Sequence, residues 1–207
     1  MTPAPREVRT RVRMSAEGRR SQILDAATLQ IADRGFWGLT LREVAAACGI
    51  TEAGVLHHVG SKDGLLVAVL EHRDLVDNLQ LAERLGIPVE ALDDDPVPVG
   101  LRALCSAFMA RNATQPEIVR LYTVLQAESL NEGHPARDYF QSREKWATEL
   151  FSRAAHTDGV AEGDVAATAR EILAGMDGLQ LRWLRDPEGV DLLEMWEDLA
   201  SRILAGR

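Results

Sequence analysis

T-L-R-E-V-A-A-A-C-G-I-T-E-A-G-V-L-H-H-V-G-S-K-D-G-L-L, residues 40–66, decides how the rest of this chain is read. Thr40 and Glu43 stand at capping-box spacing, so a helix should begin at Leu41, with Leu39 and Val44 placed as a hydrophobic staple across its start. Gly49 follows Cys48 where a helix needs a left-handed stop, which only glycine adopts without a Cβ clash. Thr51 can cap a second helix, and Ile50 with Val55 repeats the staple. Ser61 is a third cap. Helix, glycine turn, helix is the helix-turn-helix pattern of DNA-binding proteins, although an ordinary αα-hairpin also shows caps and a glycine. Three features favour the DNA-binding reading. Ala45 and Ala46 are small where two helices must approach, and the second helix is too short and too polar (Glu52, His57, His58) to serve as a core helix. Lys62 sits beside a helix N-terminus, where a cation is unfavourable unless an anion such as a phosphate shares that end.

The charge distribution supports this reading. The 207-residue chain has a net charge of −9, but residues 1–62 hold nine Lys/Arg against six Asp/Glu, whereas the remainder holds fourteen against twenty-six. An acidic body repels nucleic acid and leaves the N-terminal part as the docking surface. With 46% hydrophobic residues the chain can build one large or two modest cores. The two cysteines, Cys48 and Cys105, are far apart and outside any C-x-x-C, which suits a reduced, cytoplasmic protein. The longest apolar run, Leu65 to Leu70, is far too short for a membrane span, and no apolar run follows the arginine-rich N-terminus as in a signal peptide.

Outward from the motif the pattern is helical throughout. Residues 1–14, with Arg6, Arg9, Arg11 and Arg13, read as a flexible basic arm that either follows DNA or stays solvated. Ser15 caps a helix ending at Gly35, with Ile23, Leu24, Ala27 and Ile31 on its inner face, and Phe36 and Trp37 packing against the motif. A long helix from Lys62 to about Gly86 carries Leu65, Leu66, Val69, Leu70, Leu75, Val76 and Leu79, and joins a DNA-binding domain over 15–62 to a second domain over 63–207. After the proline cluster at Pro88, Pro96 and Pro98, further helices are predicted at about 99–114, 117–131, 136–157, 164–185 and 189–205. Sustained strand alternation is absent, so the fold class is all-α.

Residues Ser21 to Leu70 resemble the DNA-binding domain of the TetR family of bacterial transcriptional repressors. The resemblance is carried by Ile23-Leu24-Asp25-Ala26-Ala27, Gly35-Phe36, Thr40, Val44-Ala45, Cys48-Gly49-Ile50-Thr51, His58, Ser61-Lys62-Asp63 and Leu65-Leu66, about a quarter of the chain. It implies a homodimer that binds a palindromic operator in double-stranded DNA and is released by a small-molecule effector. The sequence departs from the family at Leu56 and Val59, where Tyr and Phe are common, and at Ile31, where an aromatic is common. The missing Tyr hydroxyl removes one expected phosphate contact.

The helix from Thr51 should enter the major groove, with Thr51, Glu52, Ala53 and His57 facing the bases. Glu52 can accept from a cytosine amino group but cannot read guanine as an Arg would. Thr40, His58 and Lys62 are placed as phosphate contacts, His58 because it falls on the family's matching His. His57 and His58 are adjacent, so they should point to different sides of the helix and hold no metal together. The resemblance, and polar or aromatic residues on otherwise apolar helices, make Phe108, Asn112, Tyr122, Gln126, Tyr139, Arg143, Trp146, Met176 and Gln180 candidates for an effector pocket. Family resemblance likewise points to the last two helices as a dimer interface, with Ile172, Leu179 and Trp183 on one and Leu192, Trp196, Leu199 and Ile203 on the other. Internal packing of those residues is the alternative. No Glu-x-x-His repeat, H-E-x-x-H, P-loop or G-x-S-x-G occurs, so a helical-bundle enzyme is disfavoured and no cofactor is expected. A pure interaction module is disfavoured by the basic N-terminal part. Activation in place of repression stays open.

Overall fold

A computed structural model describes residues 14–204. The described residues form nine α-helices: α1 (Ala16–Gly38), α2 (Leu41–Cys48), α3 (Glu52–Val59), α4 (Lys62–Leu85), α5 (Leu101–Asn112), α6 (Pro116–Glu128), α7 (Arg137–Thr157), α8 (Glu162–Trp183) and α9 (Leu192–Ile203). A single 3-10 turn, Val89–Leu92, lies in the proline-rich stretch. No strand is present among these residues, in keeping with the all-α expectation.

The caps act largely as the sequence predicts. Ser15, Thr40, Thr51 and Ser61 accept from the backbone N–H three residues on, at Gly18, Glu43, Gly54 and Gly64. At Thr40 only half of a capping box forms, because the Glu43 carboxylate takes the Thr40 hydroxyl (2.9 Å) as its partner. Gly49 is left-handed (φ 66°, ψ 34°), and the Gly49 and Ile50 N–H groups return to Ala46 and Ala45 in a Schellman closure. Gly86 ends α4 the same way, through Gly86 to Glu83 and Ile87 to Ala82. Asp191, a cap that the sequence reading passed over, starts α9 at Leu192 by accepting from Leu193 and Glu194.

Gly35 departs from expectation. It breaks α1 with an extended backbone at positive φ (69°, ψ −178°), and the chain then resumes one more turn to Gly38. That region of backbone space is essentially glycine-only. The reason is tertiary: the Glu128 carboxylate from α6 fills the space beside Gly35 and accepts from the Phe36 N–H at 2.8 Å. Phe36 is thereby buried, but Trp37 is 62% exposed and does not pack into the motif as expected.

Two apolar cores follow. One gathers Ile23, Leu24, Ala27, Ile31, Phe36, Leu39, Val44, Val55, the Leu65–Leu70 run of α4 and, from much later in the chain, Leu121, Leu125 and Ala136. The other gathers Leu81, Leu101, Leu104, Phe108, Met109, Leu150, Phe151, Ile172, Met176, Trp183 and Trp196. The first core therefore continues beyond residue 62 and includes α6. Leu75 and Leu79, expected among the apolar residues of α4, are exposed between its two buried stretches.

Gly35→Ala should cost about 1–3 kcal/mol from its backbone conformation, plus the clash with Glu128. Gly49→Ala, left-handed but in open space, should cost only about 1 kcal/mol. Urea unfolding of the two variants checks the order.

Candidate DNA-binding surface and effector cleft

α3 presents a short exposed face. Thr51, Glu52, Ala53 and His57 are all exposed, and Val55 is its buried anchor into the first core. His58 is half-buried, and its ring lies 5.5 Å from that of His57, edge to face, so the two do not point apart as expected. No group of metal-ligating side chains forms there or elsewhere among the described residues.

Each predicted phosphate contact has a partner within the chain. The Thr40 hydroxyl donates to Glu43, which also pairs with Arg34 at 3.1 Å. Those hydrogen bonds, Thr40's first, hold the Glu43 carboxyl below its usual pKa. Lys62 Nζ lies 4.5 Å from the centre of the Phe36 ring, a cation–π contact at the first turn of α4. The Thr40–Glu43 contact is exposed, and Lys62 is half-buried over the buried Phe36 ring. The arm arginines Arg6, Arg9, Arg11 and Arg13 lie outside the described residues. They matter to the charge argument, because residues 14–62 hold five Lys/Arg against five Asp/Glu, and the positive surplus of the N-terminal part belongs to residues 1–13.

On the other side of α1, His134 is wholly buried against Phe36 and Trp37, with ring centroids 5.2 and 5.9 Å away. Its Nδ1 accepts from the Ala136 N–H (3.2 Å), so the neutral ring carries its proton on Nε2, 3.6 Å from Glu128 Oε2. Burial depresses the His134 pKa, with Glu128 opposing.

Beyond the first core, α4 and α7 enclose a cleft of about 260 Å³ lined by Asp74, Asn78, Tyr139, Ser142, Arg143 and Trp146. Asp74 accepts from Tyr139 (2.5 Å) and Tyr122 (3.0 Å) and pairs with Arg143, whose guanidinium lies 4.4 Å over the Tyr122 ring. Burial pushes the Tyr122 hydroxyl well above its ordinary pKa. A second polar group lies alongside. Asp77 pairs with Arg73 at 2.6 Å, and Arg111, 4% exposed, donates to the Asp77 carbonyl and the Asn112 side chain. Asn112 in turn donates to Gln180.

Of the pocket residues expected from sequence, Tyr139, Arg143 and Trp146 line this cleft and Tyr122 supports it. Phe108 and Met176 are core side chains, Asn112 and Gln180 are spent on each other, and Gln126 is exposed on α6. Asp74, Asn78 and Ser142 were missed. Asp74 and Asn78 share a face of α4 at i, i+4, a signal hidden because that helix was read for its apolar residues alone.

The expected dimer residues divide by their burial within the subunit. Ile172, Trp183, Leu192 and Trp196 are buried within the subunit, and Trp196 donates to Ser106 at 2.8 Å. Leu179, Leu199 and Ile203 are partly buried against the same core. Ile172, Trp183, Leu192 and Trp196 close their own subunit, as the internal-packing alternative expected of them, while Leu179, Leu199 and Ile203 keep part of their surface outward.

Comparison with known proteins decides the family. Residues 23–69 match the model for bacterial regulatory proteins of the tetR family. The chain is 29% identical over 199 residues to the HTH-type transcriptional regulator BetI of Paraburkholderia xenovorans, covering 92% of this chain and 96% of that one. By this N-terminal module and by likeness along its length, the chain groups with the TetR-family transcriptional regulators. Among solved structures, NalD of Pseudomonas aeruginosa, the secondary repressor of the MexAB-OprM multidrug efflux pump, superposes with a TM-score of 0.67 at 25% identity, over 93% of this chain and 98% of that one. A transcriptional regulator from Saccharomonospora viridis in complex with choline shares the fold with a TM-score of 0.70 at 20% identity, over 93% and 98%. The TetR-family motif matched in sequence runs from within α1 through α2 and α3 to the first turns of α4, which build the first core together with α6. Among the described residues no helix is long and apolar enough to cross a membrane.

His134 yields a pH test. Its depressed pKa means that the unfolded chain takes up the proton first as pH falls. Its contribution to stability is present above about pH 6.5, its unfolded value, and is lost as pH drops toward the lower folded value. His134→Asn should be less stable at pH 8 but lose less on acidification below about pH 6.5, as thermal melts across pH will show.

Proposed function

We propose that this TetR-family regulator is a repressor that binds a palindromic operator as a homodimer and is released by a small molecule held in the α4–α7 cleft. The observation that carries the reading is the double role of α4. Its first half, Leu65–Leu70, is buried among the DNA-binding helices, and its second half supplies Asp74 and Asn78 to the cleft. A ligand that shifts the second half changes where the helix-turn-helix is carried. The Glu128–Phe36 contact gives a second connection, from α6 to the kink in α1. The regulator NalD is by its description a repressor, and repression is the activity proposed here.

On DNA, Thr51, Glu52, Ala53 and His57 would meet base edges in the major groove, and Thr40, His58 and Lys62 the phosphates. Thr40 and Lys62 would leave Glu43 and Phe36 to do so. The two recognition helices of the dimer must reach successive grooves about 34–36 Å apart.

The outward face of α8 suits the dimer. Ala174, Gly178, Leu181 and Arg185 are exposed at helical spacing, with nothing near the Gly178 α-carbon to block a partner helix. Leu181, 42% exposed, is the apolar centre of that face, and Leu193 of α9 is exposed as well.

Two measurements test this. Titrating the protein against a labelled fragment from upstream of its own gene, with unlabelled random DNA as competitor, should give specific binding that weakens steeply with salt. Lys62→Ala should reduce the log–log salt slope by about one unit, and an unchanged slope would remove Lys62 from the phosphate contacts. Leu181→Glu should convert the dimer to folded monomers by sedimentation, whereas Trp196→Ala should cost about 3–5 kcal/mol of stability.

A further inference from the structure

We infer that the effector is a small amphipathic carboxylate, bound through Arg143 in the place now taken by Asp74, so that ligand and α4 compete for one guanidinium. The inference rests on the proposed effector cleft and names the chemistry of its ligand.

Arg143 is positioned as a receptor. Among the described residues its Nη1 alone has a hydrogen-bond acceptor, Asp74, while its side chain stays 26% exposed at the cleft wall. The remaining N–H donors form the fork that matches a carboxylate in two-point geometry. Around it the cleft offers the Ser142 hydroxyl and the Asn78 amide for a second polar atom, and the Trp146 ring for an apolar body.

Charge sets the sign of the ligand. Arg73, Arg111 and Arg143 come together with Asp74 and Asp77 at the crossing of α4, α5 and α7, and the further carboxyl beside Arg143, Asp177 of α8, is pushed toward its neutral form by burial. Arg111 is buried and donates only to neutral acceptors, so its charge is not matched by an ion pair of its own. An anion entering this region meets uncompensated positive charge. A cation meets the opposite situation. Asp74 already receives Tyr122, Tyr139 and Arg143, and a cationic ligand would have to evict Arg143 and leave it unpaired.

The consequence for regulation is direct. Asp74 is the point at which α4 is tied to Tyr122 of α6 and to Tyr139 and Arg143 of α7. A carboxylate that takes Arg143 loosens the strongest of these ties and frees the second half of α4.

The test uses three probes of one shape and different charge: indole-3-acetate, indole-3-acetamide and tryptamine. Thermal shift and calorimetry on the full chain should show binding by the acetate form and at least about tenfold weaker binding by the other two. Asp74→Asn removes the internal competitor, so the acetate should bind about tenfold tighter to it than to the natural protein. Arg143→Gln should lose the acetate shift. Tryptamine binding as well as the acetate, a weaker acetate shift in Asp74→Asn, or no acetate shift in either protein at millimolar concentration each overturns the inference. Operator binding by the same preparations is followed in parallel. Intact operator binding with no response to the acetate overturns the ligand class alone, whereas loss of all operator binding overturns the repressor reading itself.

Discussion

Helix α4 has to satisfy two cores at once, and most of what this protein does follows from that constraint. Its first turns bury Leu65, Leu66, Val69 and Leu70 completely in the first core, and its last turns bury Leu81 in the second. Burial of each such side chain contributes roughly 1.5–3 kcal/mol, so neither end can leave its core alone. Between the two apolar stretches lie Arg73 and Asp77, which pair with each other, and Asp74, which is held by Tyr122, Tyr139 and Arg143 of later helices. A helix fixed apolarly at both ends and held by polar ties in its middle moves as a unit. In the proposed mechanism, breaking the ties would change its direction without exposing either core.

The α1–α6 junction is built on the same logic in a smaller space. Glu128 accepts from the Phe36 N–H beside the kink at Gly35, and His134 meets the Phe36 and Trp37 rings edge to face. Lys62 covers the same Phe36 ring from the start of α4. A phosphate that draws Lys62 away thus acts on a ring that the second half of the chain also touches. The proposed phosphate contact and the α1–α6 packing would meet at one side chain.

Much of the fold was legible because its signals are local. Caps at Ser15, Thr40, Thr51 and Ser61, and left-handed glycines at 49 and 86, act within four residues of themselves, and each sits where the sequence places it. Gly35 was legible as a break but not as an extended kink, because the carboxylate that requires that shape comes from residue 128. Tyr139, Arg143 and Trp146 were legible as polar and aromatic intrusions on an apolar helix. Asp74 was not, since a charged residue on a long linking helix reads as solvated until the helices facing it are known.

The sequence by itself determined the number of helices, the caps and stops around the helix-turn-helix and the family resemblance, because periodicity, capping and motif spacing are properties of contiguous residues. Only the tertiary structure decided which face of each helix is inside. Trp196 and Trp183 turned into their own subunit, Trp37 turned out, and Leu75 and Leu79 were left exposed. An amphipathic stripe states that a face must be covered, not by what. The cover comes from residues tens of positions away, such as Ser106 beneath the Trp196 indole and Glu128 beside Gly35, and only folding brings them there.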